Sequence, residues 1–456
     1  MSGWFSTFAG FAVVAIAILA TLPKPQNEVP ERCNHYLPIQ TFPETVPILP
    51  EKMYDVVIYG ATGFTGKLVA NYLATKYDPA FKWAIAGRSE SKLKALKKEF
   101  NPAFPVGIII ADSSDPKTLN ELMTKTKVVI TTVGPYTEYG TPLIEAAAKS
   151  GVHYCDLSGE PFWQREMIDK YDEIARHTGA KILLASGYDS IPFDLGGLYA
   201  YNEFERIHKE PASEISSLVT ETRGWLSGGT FASAGVTFKQ IAAGEVTMVA
   251  ATDPYLLISN DDIGVVKACR RDGEVSGWGN RIRYDVDHSS IGMPHFMASI
   301  NARIFRRTMA LSGVRNVSYS EGLSLAAVAD MTIFMLSQIL MGKMPLADIF
   351  PSPGSGPSPS IMKEGKATID FVAKNHGGDK KIKTRVKFIG DMGYNATSKM
   401  IAETGLCLAS AICSTSGNYQ GGGVITPGAA IGDGLIRRLE AADNGKFFSF
   451  TTISTN

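Results

Sequence analysis

The seven residues Gly60-Ala61-Thr62-Gly63-Phe64-Thr65-Gly66 constrain the fold more than any other stretch, because of what flanks them. Before them, Tyr54-Asp55-Val56-Val57-Ile58-Tyr59 is short, apolar and β-branched, as a buried parallel strand is. After them, Lys67-Leu68-Val69-Ala70-Asn71-Tyr72-Leu73-Ala74 is apolar at helical spacing. Strand, glycine turn and helix together are the context in which a glycine triplet binds a dinucleotide. Gly60 permits a tight turn, Gly63 lets the backbone approach a pyrophosphate, and Gly66 allows the helix to lie close on the strand. Thr62, Phe64 and Thr65 complete the candidate cofactor loop. The helix start supplies unbonded N–H groups and the positive end of a dipole.

The next strand selects the cofactor. Trp83-Ala84-Ile85-Ala86 runs into Gly87-Arg88-Ser89, where an NAD enzyme usually carries an acid for the ribose 2′-hydroxyl. A cation and a hydroxyl, Arg88 and Ser89, suit a 2′-phosphate instead, so NADP(H) is the expected cofactor. Val106–Ala111 reads as a third strand, closed by Asp112, which is placed to accept a hydrogen bond from an adenine amino group. Val128–Val133 is a fourth, ending in Gly134, Pro135 and Tyr136, the first two completing the cofactor-binding set. His153–Leu157 and Lys181–Ala185 follow as a fifth and sixth. Six strands alternating with helices predict a doubly wound parallel sheet, a Rossmann α/β fold. Ligands of such sheets sit beyond the carboxyl ends of the strands, where Tyr136, Asp156 and Asp189 emerge.

At 456 residues the chain has room for two domains, and its 45 acidic and 45 basic residues give no charge asymmetry of the kind nucleic acid attracts. Five scattered cysteines, at 33, 155, 269, 407 and 413, predict neither a disulfide framework nor a metal site. His288 and His295 lack neighbouring ligands and read as ordinary polar residues; no metal is expected.

Residues 1–23 carry no charged side chain, and Trp4–Leu22 is a 19-residue apolar run, close to the roughly 20 that cross a bilayer. A basic n-region is absent, which disfavours a cleaved signal peptide. Lys24 and Arg32 follow the run, so the expectation is an amino-terminal transmembrane helix with the catalytic domain facing the cytosol. Residues 24–50 then form a proline-rich linker, 51–189 the Rossmann domain, 190–395 a second α+β domain for substrate or dimerisation, and 396–456 a segment returning to the first domain. Within the second domain, Leu323–Met341 is apolar apart from Asp330 and reads as a buried core helix, with a helix dipping into a membrane surface as the alternative. Pro351–Pro359 forms an exposed loop, and residues 367–372 and 384–389 a hairpin.

Several of these segments together resemble the saccharopine dehydrogenase-like oxidoreductases. They are the glycine loop with Ala86-Gly87-Arg88, Val133–Tyr136, Tyr154–Glu160, Ser186–Leu195, Gly228-Gly229-Thr230, Gly393–Met400 and Gly423–Pro427. The resemblance covers about residues 54–440 and departs at Met392, where the family often has proline. It implies an NADP-type Rossmann fold and a lipid-linked reductase role, since bacterial relatives include trans-acting enoyl reductases of glycolipid assembly. Animal relatives are associated with lipid droplets and membranes, which makes lipid droplet, endoplasmic reticulum or mitochondrial membrane the candidate addresses.

Hydride transfer needs a placed acceptor and a proton donor. The loop spacing G-x-x-G-x-x-G leans toward short-chain dehydrogenases, but the Tyr72-x-x-x-Lys76 spacing sits on the first helix and is a coincidence. Tyr136, Asp156, Glu160 and Asp189 are the candidate acids, bases or substrate anchors, each with a structural role as its alternative. The expected function is an NADP(H)-dependent oxidoreductase of lipid or glycolipid metabolism, with a small-molecule or lipid-linked substrate and a homodimer as an open arrangement. A membrane-tethered NADP-binding scaffold or sensor without turnover is one alternative. A saccharopine dehydrogenase is the other, although Arg223 is the one motif-linked cation at hand for its carboxylates.

Overall fold

A computed structural model of the protein describes residues 52–77, 81–100, 105–224, 227–258, 277–279, 281–314, 316–344 and 354–455. The apolar run at Tyr54–Tyr59 forms β1, followed by β2 (Trp83–Gly87), β3 (Val106–Ile110), β4 (Thr126–Thr131), β5 (His153–Cys155) and β6 (Lys181–Leu183). They pair in the order β3-β2-β1-β4-β5-β6, every pair parallel. This is the doubly wound order, with its crevice where the winding reverses between β1 and β4. The interleaved helices are α1 (Phe64–Lys76), α2 (Glu90–Lys98), α3 (Pro116–Lys125), α4 (Tyr136–Tyr139), α5 (Thr141–Ser150) and α6 (Pro161–Thr178).

Burial on both faces explains the unbroken apolar strands: Val56 and Ile58 of β1 enter one core and Val57 and Tyr59 the other. The first of these cores is shared. It runs past Met400 and Ile401 into Phe371 and Val386 of a second sheet.

That sheet begins after α7 (Ile191–His208) with β7 (Glu214–Arg223), then β8 (Arg283–Asp285), β9 (Ser290–Pro294), β10 (Ser318–Ser324), β11 (Lys366–Lys374) and β12 (Lys381–Ile389). Its helices are α8 (Gly228–Ala242), α9 (Met248–Thr252), α10 (Ala298–Leu311), α11 (Leu325–Leu340) and α12 (Pro359–Glu364). The expected hairpin is β11–β12, antiparallel from Lys366 opposite Ile389 to Lys374 opposite Lys381. The chain end serves both sheets. After α13 (Asn395–Ala409), β13 (Gly423–Ile425) pairs parallel to β6; after α14 (Pro427–Gly445), β14 (Phe448–Thr455) pairs with β12.

Three expectations are corrected. No helix among the described residues is long and apolar enough to cross a membrane. α11 is apolar but has 16 residues and contains Asp330, whereas a span needs about 20. The transmembrane helix, and with it the membrane-anchored localisation facing the cytosol, is therefore withdrawn from the architecture; residues 1–23, on which it rested, lie outside the described residues. α11 is also not a core helix, because only Ala327 and Gln338 are buried while Ile333, Leu336 and Leu340 are exposed. Finally, Cys407 and Cys413 form a disulfide, since the chain doubles back after α13 and brings their Cα atoms to 5.0 Å.

Candidate active site

The candidate residues follow the carboxyl ends of β1 to β6, where the ligands of such a sheet sit, and fall at two ends of that cleft, with Ser233 of α8 reaching Glu160 at the second. At the first end, Gly60 turns the chain with φ +84°. A Cβ there would stand 2.5 Å from Val133 Cγ2. The Gly60 and Ala61 N–H groups donate to Ala86 O at 3.0 and 3.3 Å, and Gly63 N–H donates to Gly60 O at 3.0 Å. A Cβ on Gly66 would lie 2.2 Å from Gly60 O, so α1 sits directly on the turn. Gly63 differs: its Cβ would meet only Gly60 O, at 3.3 Å. That single contact is tight but leaves the other sides of the position open, as a site for a phosphate requires. Gly63 caps α1 without a side-chain bond. The first-turn N–H groups of Phe64 and Thr65, beside Thr62, are thereby left for an anion. The Phe64 ring turns aside and meets the Tyr394 ring edge-on at 4.7 Å.

Beyond β2, Arg88 is exposed and Ser89 half-buried. A Cβ on Gly87 would meet nothing within 4 Å. Burial pushes the Tyr59 hydroxyl pKa up, opposed by a bond to Ser113, while the charges of Asp112 and Arg88 also reach it. Asp112 is held below the usual carboxylate range chiefly by Ser114, whose N–H and hydroxyl donate to Oδ1 at 2.9 and 2.8 Å. Gly134 is exposed and Pro135 half-buried, directly after the Thr132 N–H that donates to Tyr59 O at 3.2 Å. An N–H-lined turn, open space at Gly63 and Gly87 and an exposed guanidinium beyond β2 fit NADP.

At the other end, three of the four candidate catalytic residues are consumed by the protein's own bonds. Tyr136 is buried; its hydroxyl donates to Thr131 O at 3.3 Å and accepts from Leu157 N–H at 3.1 Å. Burial holds its pKa well above the usual tyrosine value. Glu160 caps α4: Oε1 accepts from Tyr136 N–H at 2.9 Å and Ser233 Oγ at 2.7 Å, and Oε2 from Thr137 N–H at 2.7 Å. Asp156 is buried, and Oδ1 accepts from Ser158 N–H and Oγ and from Ala185 N–H at 2.8–3.0 Å. Its Oδ2 accepts from Tyr154 at 2.9 Å. Burial pushes Asp156 up to about 6 against those bonds.

Asp189 stands apart. It is half-buried after β6, and among the described residues no hydrogen bond reaches its carboxylate. A Cβ on Gly159 would lie 3.4 Å from its Oδ2 and 3.1 Å from Ile300 Cδ1, so Gly159 leaves room beside the acid and an apolar wall. Burial pushes Asp189 up to about 6, and the charge of His295 draws it back. His295, next to the exposed Phe296, is buried with Nδ1 2.6 Å from Glu321 Oε1, and Asn301 Nδ2 donates to the same oxygen at 2.8 Å. His295, Glu321 and Asn301 carry no local sequence signal; the pairing of β9 with β10 brings His295 to Glu321, and Asn301 arrives from α10.

The remaining features lie elsewhere. Tyr72 donates to the buried Glu403 at 2.7 Å. Arg223 is paired with Asp330 at 3.0 Å, in a groove of about 410 Å³ against α11 that contains none of the candidate catalytic residues. Tyr394 ties the cleft together, accepting from Gly228 N–H at 3.0 Å and donating to Ser355 O at 2.5 Å.

Residues 56–183 match the family model for the saccharopine dehydrogenase NADP-binding domain. A Mycobacterium tuberculosis protein provisionally named trans-acting enoyl reductase is 35% identical over 410 residues, 85% of this chain and 96% of the relative. The trans-acting enoyl reductase of Mycobacterium bovis is 33% identical over 419 residues, 86% of this chain and 97% of the relative. Apo saccharopine dehydrogenase (L-Glu forming) from Saccharomyces cerevisiae superposes with a TM-score of 0.47 at 13% identity, covering 88% of this chain and 99% of that one. With identity above 30% sustained over nearly the whole of its relatives, the chain belongs to the saccharopine dehydrogenase-like family of NADP-dependent oxidoreductases, related to the trans-acting enoyl reductases.

Proposed function

We propose that this protein reduces a carbon–carbon double bond conjugated to a carbonyl in an apolar, lipid-type acyl substrate. The observation that carries the reading is Asp189, an acid that no hydrogen bond among the described residues reaches, beside Gly159 and the apolar Ile300. Bound NADPH supplies the hydride. The chain's part begins with holding that cofactor: the turn from Gly60 to Gly66 takes the pyrophosphate, Arg88 and Ser89 the 2′-phosphate, and Asp112, Gly134 and Pro135 flank its two ends. Tyr136, Asp156 and Glu160 are positioning residues that fix the loops after β4, β5 and β6. Asp189 is the proton donor: its O–H bond breaks as a C–H bond forms at the carbon next to the carbonyl, and it is left as carboxylate.

The saccharopine alternative is disfavoured, because Arg223, the motif-linked cation its carboxylates would need, is paired with Asp330 in a groove that contains none of the candidate catalytic residues. The test is NADPH oxidation by the purified full chain with trans-2-decenoyl N-acetylcysteamine thioester or with saccharopine formation from its precursors. Saturated decanoyl thioester is the expected product. Turnover confined to saccharopine would replace the reading, and tight NADPH binding without turnover of either would favour the scaffold.

A further inference from the structure

Residues 354–358 run into α12 beside the second sheet, yet they lie against the cofactor turn, and the reading above gives them no task. A Cβ on Gly356 would stand 2.5 Å from both Cε1 and Cζ of Phe64, so this strap touches the Phe64 ring directly. Gly354, at φ +85°, needs glycine for its backbone and meets nothing within 4 Å; Gly356 needs it for space. The same ring meets Tyr394 edge-on at 4.7 Å, and the buried Tyr394 donates its hydroxyl proton to Ser355 O at 2.5 Å. The far end of the strap is fixed to the corner that carries Tyr394. Asp391 N–H donates to Met362 O at 2.8 Å, and Asp391 Oδ2 accepts from Tyr394 N–H at 3.1 Å. Pro357 and Pro359 stiffen the chain between these anchors. The strap and Tyr394 reach the turn through ring contacts alone; their polar bonds lie among their own parts.

The first turn of α1 is where such support is needed. Gly63 caps it without a side-chain bond, and the first helical bond runs from Lys67 N–H to Gly63 O at 2.9 Å. The N–H groups of Phe64 and Thr65 have no partner inside the helix, and a turn that is loose before binding loses conformational entropy when a pyrophosphate fixes it. The NADP-binding domain matched by the family model ends at residue 183, so the strap and Tyr394 come from outside it. We propose that residues 354–358 and Tyr394 form part of the NADP site, clamping Phe64 so that its N–H and that of Thr65 are set for the pyrophosphate before the cofactor arrives. The proposal rests on the turn from Gly60 to Gly66 being the pyrophosphate site. Gly356 and Tyr394 act through Phe64 and are positioning residues. The pyrophosphate is common to NADPH and NADH, so the clamp serves both cofactors equally, unlike Arg88. It contributes nothing to a ligand that carries only the adenine and 2′-phosphate end.

The decisive experiment titrates the full chain, without substrate, with NADPH, NADH and adenosine 2′-monophosphate in a calorimeter. Gly356→Val should weaken NADPH and NADH by the same factor, about tenfold, the entropic cost of ordering one residue unaided. Adenosine 2′-monophosphate should bind as to wild type, a pattern that general damage to the fold would not produce. Tyr394→Phe keeps the ring on Phe64 but releases Ser355, and should show the same pattern at about threefold. Gly356→Val is the cleaner variant, because Tyr394→Phe also takes the acceptor from Gly228 N–H. Unchanged NADPH affinity in Gly356→Val overturns the proposal, and so does a loss shared by adenosine 2′-monophosphate. If Gly356→Val does not fold, the same readings in Tyr394→Phe decide. Gly63→Val separates the proposal from its premise. NADPH binding retained there overturns the pyrophosphate assignment, whereas binding lost there but intact in Gly356→Val overturns the clamp alone. No turnover is measured, so the substrate reading stands or falls separately.

Discussion

At the cofactor end of the cleft the polar contacts stay within the first sheet and its turns: Gly63 bonds to Gly60, Ser114 to Asp112, and Gly60 to Ala86 of the neighbouring strand. At the Asp189 end some come from beyond that sheet: Ser233 of α8 reaches Glu160, and His295 meets Glu321 through a strand pairing of the second sheet. The first end is a cassette that any parallel sheet can carry. The second exists only when two sheets are packed together. The cofactor turn therefore depends less on the packing of the two sheets than the Asp189 end does.

Substitutions can break or sharpen this contrast. Gly66→Val should be the most damaging, because its Cβ would sit 2.2 Å from Gly60 O and 2.8 Å from Ala61 Cα, both backbone atoms that cannot swing away. A loss on the order of 4–5 kcal/mol is expected in chemical denaturation; a normally stable variant would show that α1 does not lie on the turn. Gly63→Val should be the informative counterpart, folding cooperatively yet losing detectable NADPH binding by titration calorimetry, since only ligand fills that space. Retained binding would mean that the pyrophosphate lies elsewhere. Arg88→Ala should weaken NADPH by about 1.5–3 kcal/mol and leave NADH unchanged. Equal losses for both cofactors would remove the 2′-phosphate contact.

A pH-dependent effect belongs to the junction of the sheets. Buried Asp194 accepts from Gly428 N–H at 2.8 Å and from Thr308 Oγ1 at 2.5 Å, and burial pushes it up to about 7. In the unfolded chain it ionises near pH 4. The folded state then holds a proton that the unfolded state has released, so this stabilisation is complete below about pH 4 and is lost as pH rises toward 7. The slope is on the order of 1 kcal/mol per pH unit in that window. Denaturation midpoints at pH 5 and 7.5 should fall less steeply for Asp194→Asn than for wild type; parallel slopes would assign the titration to other acids.

The same contrast explains what the sequence disclosed. The six strands and the glycine turn are legible because burial on both faces writes unbroken apolar runs and the turn demands glycine locally. Asp189 is legible as a position, since carboxyl ends of parallel strands are where ligands sit. The bonds that engage Tyr136, Asp156 and Glu160 are not legible, because they depend on Thr131, Ala185 and Ser233 arriving from other elements. His295 passes for an ordinary polar residue until the β9–β10 register supplies Glu321. Hydropathy alone also misjudges α11, whose apolar sequence lies largely exposed on the second sheet, and cysteine spacing gives no hint of the Cys407–Cys413 bond.

The late arrival of β13 carries a cost during synthesis. β6 ends at Leu183 and the strand that covers its edge begins at Gly423, 240 residues later. A ribosome adding roughly 5–20 residues per second leaves that edge bare for roughly 10–50 s, with unpaired N–H and C=O groups that template pairing with another chain. Folding yield should therefore depend on how crowded the nascent chains are. A premature stop anywhere between the two strands would produce a product that aggregates, because the first sheet would never be closed at that side.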